Sequence, residues 1–235
     1  MFCNAHTHLT NEEKLSEKAS LLCINAMTAE EFAEAVNRAV PGKVFVSLGI
    51  HPWYMEKLSL KQMEKILEER KDAVAAIGET GLDYFTKELK ASAEVQREIF
   101  EAQIELAEKY GKPLIIHCRK SMQDIFSYAE KLSRMKAVVF HAFPGSLNEA
   151  EFLMKKSGNV FFSFGAELLK ERKKSIECIK ALPEKNILLE NDASNEDIEK
   201  IYEKAALERN ISKESLCRIC SENFKHIFCS AEINS

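Results

Sequence analysis

Eight short apolar runs alternate with helix-patterned segments along this chain, and that alternation constrains the fold more than any other feature. The runs are Met1–Ala5, Leu21–Ala26, Val44–Ile50, Ala73–Gly78, Pro113–His117, Ala137–Phe140, Asn159–Phe164 and Ile187–Glu190. Most are continuously apolar rather than alternating, the pattern of strands covered on both faces. Between them, Thr28-Ala-Glu-Glu31 and Ser59-Leu-Lys-Gln62 fit the capping box that opens a helix. The longest helix is predicted from about Ala91 to Tyr110, with Val95, Ile99, Ala102, Leu106 and Tyr110 as its apolar stripe and with Gly111 and Pro113 ending it. A last helix runs from Ser212 to Cys229. Strand and helix repeated eight times predict an α/β fold, a (β/α)8 TIM barrel forming one domain over residues 1–235. The first repeat is the least regular, because Asn11 to Ala19 leaves room for barely two turns of helix.

Composition excludes several classes. Hydrophobic residues make up 46% of the chain and charged residues 30%, as in ordinary soluble globular proteins. The net charge of −4 carries no basic excess of the nucleic-acid-binding kind, and no Lys/Arg block suggests a membrane surface. Charge that attracts an anionic substrate must therefore be local, for example a metal ion. No apolar run reaches membrane-span length and no signal-peptide pattern opens the chain, so a cytoplasmic protein is expected. Seven scattered cysteines, an odd number, fit reduced thiols; Cys217-Arg-Ile-Cys220 reads as two ordinary helix-face cysteines.

In such a barrel the active site forms at the C-terminal ends of the strands. His6 and His8 end the first strand, His51 follows the third, Glu79 follows the fourth, His117 ends the fifth, His141 ends the sixth and Asp192 ends the eighth. Any one of these histidines alone would read as structural, and His226, in the last helix, does. Five of six histidines and two carboxylates at one rim are different. Unpaired, such buried polar groups would cost a few kcal/mol each, and a metal centre offsets that cost. On an extended strand residues i and i+2 share a side, so His6 and His8 project together and can bind one cation. Imidazole with carboxylate suits Zn²⁺, Mn²⁺, Fe²⁺ or Ni²⁺, whereas Mg²⁺ prefers more oxygen ligands. The donors suffice for two divalent ions, with Glu79 able to bridge them.

The segments "AHTHL", "GIHPW", "GETGLDY", "QREIFEAQIELAEKYGKPLIIHCR", "HAFPGS", "ILLEND" and "ENFKHIF", in this order, resemble the TatD-type metal-dependent hydrolases and deoxyribonucleases of the amidohydrolase-like barrel superfamily. The resemblance implies that His6, His8 and Asp192 ligate a first metal, that Glu79 is shared, and that His117 and His141 ligate a second. It implies that Asp192 orients or deprotonates the attacking water and that His51 contacts the scissile phosphate or a product oxygen. Three departures stand out: Asn4 and Thr10 occupy positions where the family usually has Asp, and the family's Pro-rich loop after the strand-8 aspartate is cut short in "ENDASNEDIEK".

The leading expectation is metal-assisted hydrolysis of phosphodiester bonds in DNA, with no membrane and no stable protein partner implied. Arg119 is a candidate phosphate contact, or else a rim salt bridge; Lys120 is expected to be solvated. Trp53 and Tyr54, like Tyr84 and Phe85, either stack on a base or pack a loop, and Asp83 is assigned to holding the loop beneath Glu79. Two rivals remain: hydrolysis of a small amide, ester, lactone or phosphoester by the same metals, and a non-catalytic binding module with a structural metal.

Overall fold

A computed structural model describes residues 2–9, 19–194 and 196–229. Its eight strands are β1 (Phe2–Thr7), β2 (Ala19–Ala26), β3 (Val44–Leu48), β4 (Ala76–Asp83), β5 (Leu114–Arg119), β6 (Val138–Phe140), β7 (Val160–Phe164) and β8 (Ile187–Leu189). They form one all-parallel sheet in sequence order. The sheet closes where Thr7 bridges Asp192 in parallel and the Asp192 N–H donates to the His6 carbonyl at 3.1 Å. Helices separate the strands from β2 onward, as the TIM-barrel expectation requires. The short helix expected after the first strand and Thr10 lie outside the described residues.

Apolar side chains on the two strand faces sort into two cores. The larger lies between strands and helices. The smaller contains Cys3, Ala5, Cys23, Ile115, Val139, Phe161 and Leu188 from the strands, with Phe224, Ile227 and Phe228 of the last helix (Lys213–Phe228) packed against them. Those strand residues fill the barrel interior, and their same-face successors toward the strand ends are polar: Asn25, His117, His141, Ser163 and Glu190. Strict alternation would turn His6 and Glu79 the other way, since Ala5 and Ala76 already face inward. Register irregularities fall at both places, between Asn4 and Thr7 in β1 and between Ile77 and Thr80 in β4. Such irregularities re-aim a side chain, and both residues are buried.

Two expectations need correction. Strand 4 does not stop at Gly78 but runs to Asp83, so Glu79 lies within the strand rather than after it. The polar spelling of "GETGLD" hides a strand whose eight residues are all buried. The long helix is Ala93–Tyr110, with a separate short turn of helix at Lys87–Ala91 before it. Its buried face is Gln96, Phe100, Gln103, Ile104, Leu106 and Ala107, while Val95 of the predicted stripe is 48% exposed. Two glutamines occupy the inner face because they hold the site's backbone. The Gln103 amide accepts from Ile50 N–H at 2.8 Å and donates to Ile50 C=O at 3.1 Å. The Gln96 amide does the same for Asp83, at 2.8 and 3.1 Å. Hydrophobic periodicity cannot see amides used in this way.

β4 and β5 approach closely at Gly81, where φ is +136° and an added β-carbon would run into the His117 carbonyl oxygen. Gly81→Ala is therefore expected to cost about 3 kcal/mol from backbone strain and overpacking. Equilibrium urea denaturation reads this directly; a midpoint equal to that of the wild type would mean that the approach is not tight.

Candidate metal centre

Glu79 is the hub of the barrel mouth. Its Oε1 lies 2.7 Å from His141 Nε2, 2.9 Å from His117 Nδ1 and 3.1 Å from His51 Nε2. Its Oε2 lies 3.2 Å from His6 Nε2 and 3.7 Å from His8 Nε2. Asp192 Oδ1 completes the second side, 3.3 Å from both His6 Nε2 and His8 Nε2. All seven side chains expected at the rim therefore meet. His226 does not join them; it is exposed on the last helix, its ring 5.9 Å from that of Phe161.

Hydrogen-bond logic sorts the rings. A carboxylate only accepts, so the 2.9 Å contact to Asp83 Oδ2 puts a proton on His117 Nε2, and a cation would take the place of the proton that Nδ1 presents to Glu79 at 2.9 Å. Burial opposes protonation of this ring, but Asp83 and Glu79 raise its pKa. Glu190 Oε1 sits 3.3 Å from His141 Nδ1, so Nε2, 2.7 Å from Glu79 Oε1, is likewise the nitrogen whose proton a cation would displace. His51 is the reverse. Its Nδ1 accepts from the Trp53 backbone N–H at 3.0 Å, so Nε2 carries the proton and donates to Glu79. Donor atoms of His51, Glu79 and His117 come close enough to hold an ion, as do those of His6, Glu79 and His141 and of His6, His8 and Asp192. The tautomer argues against the grouping that uses His51, whose ring offers a hydrogen instead of a lone pair.

Charge is distributed accordingly. Burial works against ionisation of Glu79, but the His141, His51 and His6 rings outweigh it and hold its carboxyl well below the usual range. Asp192 is depressed too, against its burial, by His6 and His8. Burial and the nearby His141 oppose protonation of His6, yet Glu79 and Asp192 push it up to about 9. For His51 burial wins and its pKa falls, in keeping with a neutral ring. The His6 ring is fully buried and neither nitrogen has a hydrogen-bond partner among the described residues. Two carboxylate oxygens flank Nε2 without an aligned hydrogen bond. A divalent cation between these donors fits that orphaned atom and the imidazole-carboxylate set.

The family described as TatD related DNase matches residues 4–229. The chain belongs to this family. It is 31% identical over 176 residues to the metal-dependent hydrolase YjjV of Escherichia coli K12, covering 73% of this chain and 67% of that protein. It is 32% identical over 153 residues to the human 3'-5' RNA nuclease TATDN2, covering 64% of this chain and 20% of that one. The crystal structure of E. coli YjjV superposes with a TM-score of 0.86 at 24% identity, over 97% of this chain and 98% of that one. As a TatD-family protein the chain is a metal-dependent hydrolase, of a family whose description as a DNase places its chemistry among hydrolases of ester bonds.

Beyond the ligand candidates, this TatD-family site contains residues that the sequence reading passed over. Glu190 fixes His141 and also accepts from Ala142 N–H at 2.8 Å; it was hidden as the last residue of an apolar run. Asn25 donates to Thr7 C=O at 3.3 Å beneath the His6–His8 turn. Asp83 holds its loop as expected, through Phe85 N–H at 2.7 Å and Trp53 Nε1 at 2.8 Å, and orients His117 besides. Trp53 is thus packed on one edge, yet 43% exposed. Tyr84 is tied to Asp124 at 2.7 Å, while Phe85 lies under the Arg119 guanidinium, 3.6 Å from ring centroid to Cζ. No carboxylate pairs with Arg119 among the described residues, so the rim salt bridge is absent there. Asn4, where an Asp is usual, forms a buried amide pair across the barrel seam, donating to Asn191 Oδ1 at 2.8 Å and accepting from Asn191 N–H at 3.2 Å.

Two outcomes follow for metal loading. At pH 7 the stripped protein holds a proton on His6 that a cation must displace, so loading releases protons and affinity falls on acidification. Calorimetry in buffers of different ionisation enthalpy detects the release; identical heats would refute it. Asp83→Asn removes the carboxylate that orients His117 and is expected to weaken metal affinity by about 10- to 100-fold, measured by competition with a chelating dye.

Proposed function

We propose that this TatD-family hydrolase cleaves phosphodiester bonds in DNA. In this reading His6, His8 and Asp192 would hold one divalent cation and His117 and His141 a second, with Glu79 shared between them. The observation that carries it is the split of Glu79, Oε2 toward His6 and His8 and Oε1 toward His117 and His141. Zn²⁺, Mn²⁺, Fe²⁺ or Ni²⁺ suit these donors, with Mg²⁺ as a replacement. Such ions supply Lewis acidity, easing deprotonation of water and neutralising charge on the scissile group.

The chain's own residues do the rest. Asp192 is the most exposed donor, with 39% of its side chain accessible, and its depressed pKa keeps it ionised, so that it accepts a hydrogen bond from the attacking water and orients it. It follows β8 with φ +50°, a left-handed conformation that turns the carboxylate into the mouth. His51, neutral and protonated on Nε2, would turn that N–H from Glu79 to a phosphoryl or product oxygen when substrate is bound. Arg119, flattened on Phe85, presents its planar fork to a phosphate. The seven unpaired cysteines, six of them buried, support a cytoplasmic location; no helix among the described residues is long and apolar enough to cross a membrane.

The human relative's name favours one second reading, RNA as substrate. Elemental analysis of purified protein should find about two divalent ions per chain, and the loaded enzyme should cleave a DNA oligonucleotide. His117→Ala should lose most of that activity, and Asp192→Asn should lose about 10²-fold or more with its fold intact. Parallel RNA oligonucleotides, esters and lactones separate the alternatives. Absence of DNA cleavage with every one of these metals would end the proposal, and undiminished activity in Asp192→Asn would end its assigned role.

A further inference from the structure

Two larger cavities lie beside the centre, the first reaching its residues and the second adjoining the first. One, of about 560 Å³, runs from His117, His141 and Asp192 to Arg172, Lys173 and Lys174. The other, of about 450 Å³, shares Arg119 and Lys174 with the first and adds Lys120 and Phe85. The two form a continuous groove with five cationic side chains, in a protein whose net charge is −4. A further cavity of about 270 Å³ shares Trp53, His117, His141 and Asp192 with the first, is otherwise lined by residues such as Leu9, Met27, Glu31 and Tyr54, and includes no Lys or Arg among the described residues.

The groove's carboxylates do not cancel this charge. Glu149 is engaged by Ser146 N–H at 2.6 Å and Ser146 Oγ at 2.9 Å, and lies 3.9 Å from Lys174. Asp124 is held by Tyr84 and by Arg97 at 3.1 Å. Lys173 reaches Glu177 only at 3.8 Å, on a side chain that is 89% exposed, a pairing too weak to hold it. Glu167 and the centre's own Asp192 are the other acids on the lining. Arg119 and Lys120 both lie against the exposed Phe85 ring, at 3.6 and 4.7 Å.

We propose that Arg172, Lys173 and Lys174, with Arg119 and Lys120, form a phosphate-binding track that leads a nucleic-acid strand away from the metal centre along this groove. The track makes the substrate a polynucleotide rather than a small ester or lactone. It rests on the phosphodiester reading of the centre, but its own evidence is the distribution of charge along the groove. A run of phosphates spaced along a strand is the polyanion that such a row of exposed cations matches.

The test is binding of a fluorescent 15-nucleotide phosphorothioate oligo(dT) to the metal-loaded enzyme across a salt series. The triple substitution Arg172→Ala, Lys173→Ala, Lys174→Ala should reduce the slope of log affinity against log salt by about 2, and weaken binding about tenfold or more at 0.1 M salt. A control that removes three exposed lysines elsewhere, Lys61→Ala, Lys65→Ala, Lys225→Ala, should leave the slope unchanged. An unchanged slope in the groove variant, or an equal loss in the control, overturns the track. Wild type that binds with a groove-dependent slope but cleaves no oligonucleotide would instead overturn the phosphodiester reading and leave the track standing.

Discussion

A single buried carboxylate organises this molecule. Glu79 is 3% exposed and has no lysine or arginine beside it, so its charge must be met by imidazoles alone. Five rings from β1, β5 and the segments after β1, β3 and β6 do so. Leaving such a charge unpaired would be prohibitive, so the strands that carry those rings must close around it. That demand reaches into the backbone. The register breaks in β1 and β4 turn His6 and Glu79 inward, and Gly81 lets β4 lie against the His117 carbonyl. The barrel is closed at β1 and β8 by the same short stretch that brings Asp192 to His6.

Around this hub a second ring of polar groups decides what each imidazole can do. Asp83 and Glu190 each take the outer N–H of a histidine and leave the inner nitrogen, which faces Glu79, as the one that can give up its proton to a cation. The backbone of Trp53 does the opposite to His51. Rings of one residue type, crowded onto one carboxylate, are thereby divided into metal-ligand candidates and a hydrogen-bond donor. Gln96 and Gln103 extend the arrangement by pinning the backbones of Asp83 and Ile50, next to His51. The long helix serves the site with two amides as much as it serves the core with Phe100 and Ile104.

Much of this was legible in the residues. Continuous apolar runs are what a parallel sheet covered on both faces requires, and seven strands fall close to where those runs lie. The exception is β4, whose continuation through Glu79, Thr80 and Asp83 is polar because the strand itself is part of the site. The site's candidate donors were readable because each ends or follows an apolar run. Their partners were not. Glu190 looks like part of a strand, Gln96 and Gln103 look like solvent-facing positions of a helix, and Asn4 gains meaning only with Asn191 across the seam. Each of these roles depends on a contact distant in sequence, which neither periodicity nor composition encodes.

Charge shows the same limit more sharply. A net of −4 argues against a polyanion-binding surface when it is taken as a property of the whole chain. Exposed charges interact over a Debye length of about 8 Å at physiological salt, so what a strand at the barrel mouth feels is the rim and not the sum. Most acids of this chain lie on helices at the barrel's circumference, where many pair with lysines, as in Lys204 with Glu208 and Lys213 with Glu199. The end of β5 with Lys120, and Arg172 with the start of the helix Lys173–Ala181 after β7, instead place Arg119, Lys120, Arg172, Lys173 and Lys174 along one groove beside the centre. In a fold whose reactive residues all sit at one end, the position of a few basic residues at the end of β5 and after β7 outweighs the overall balance.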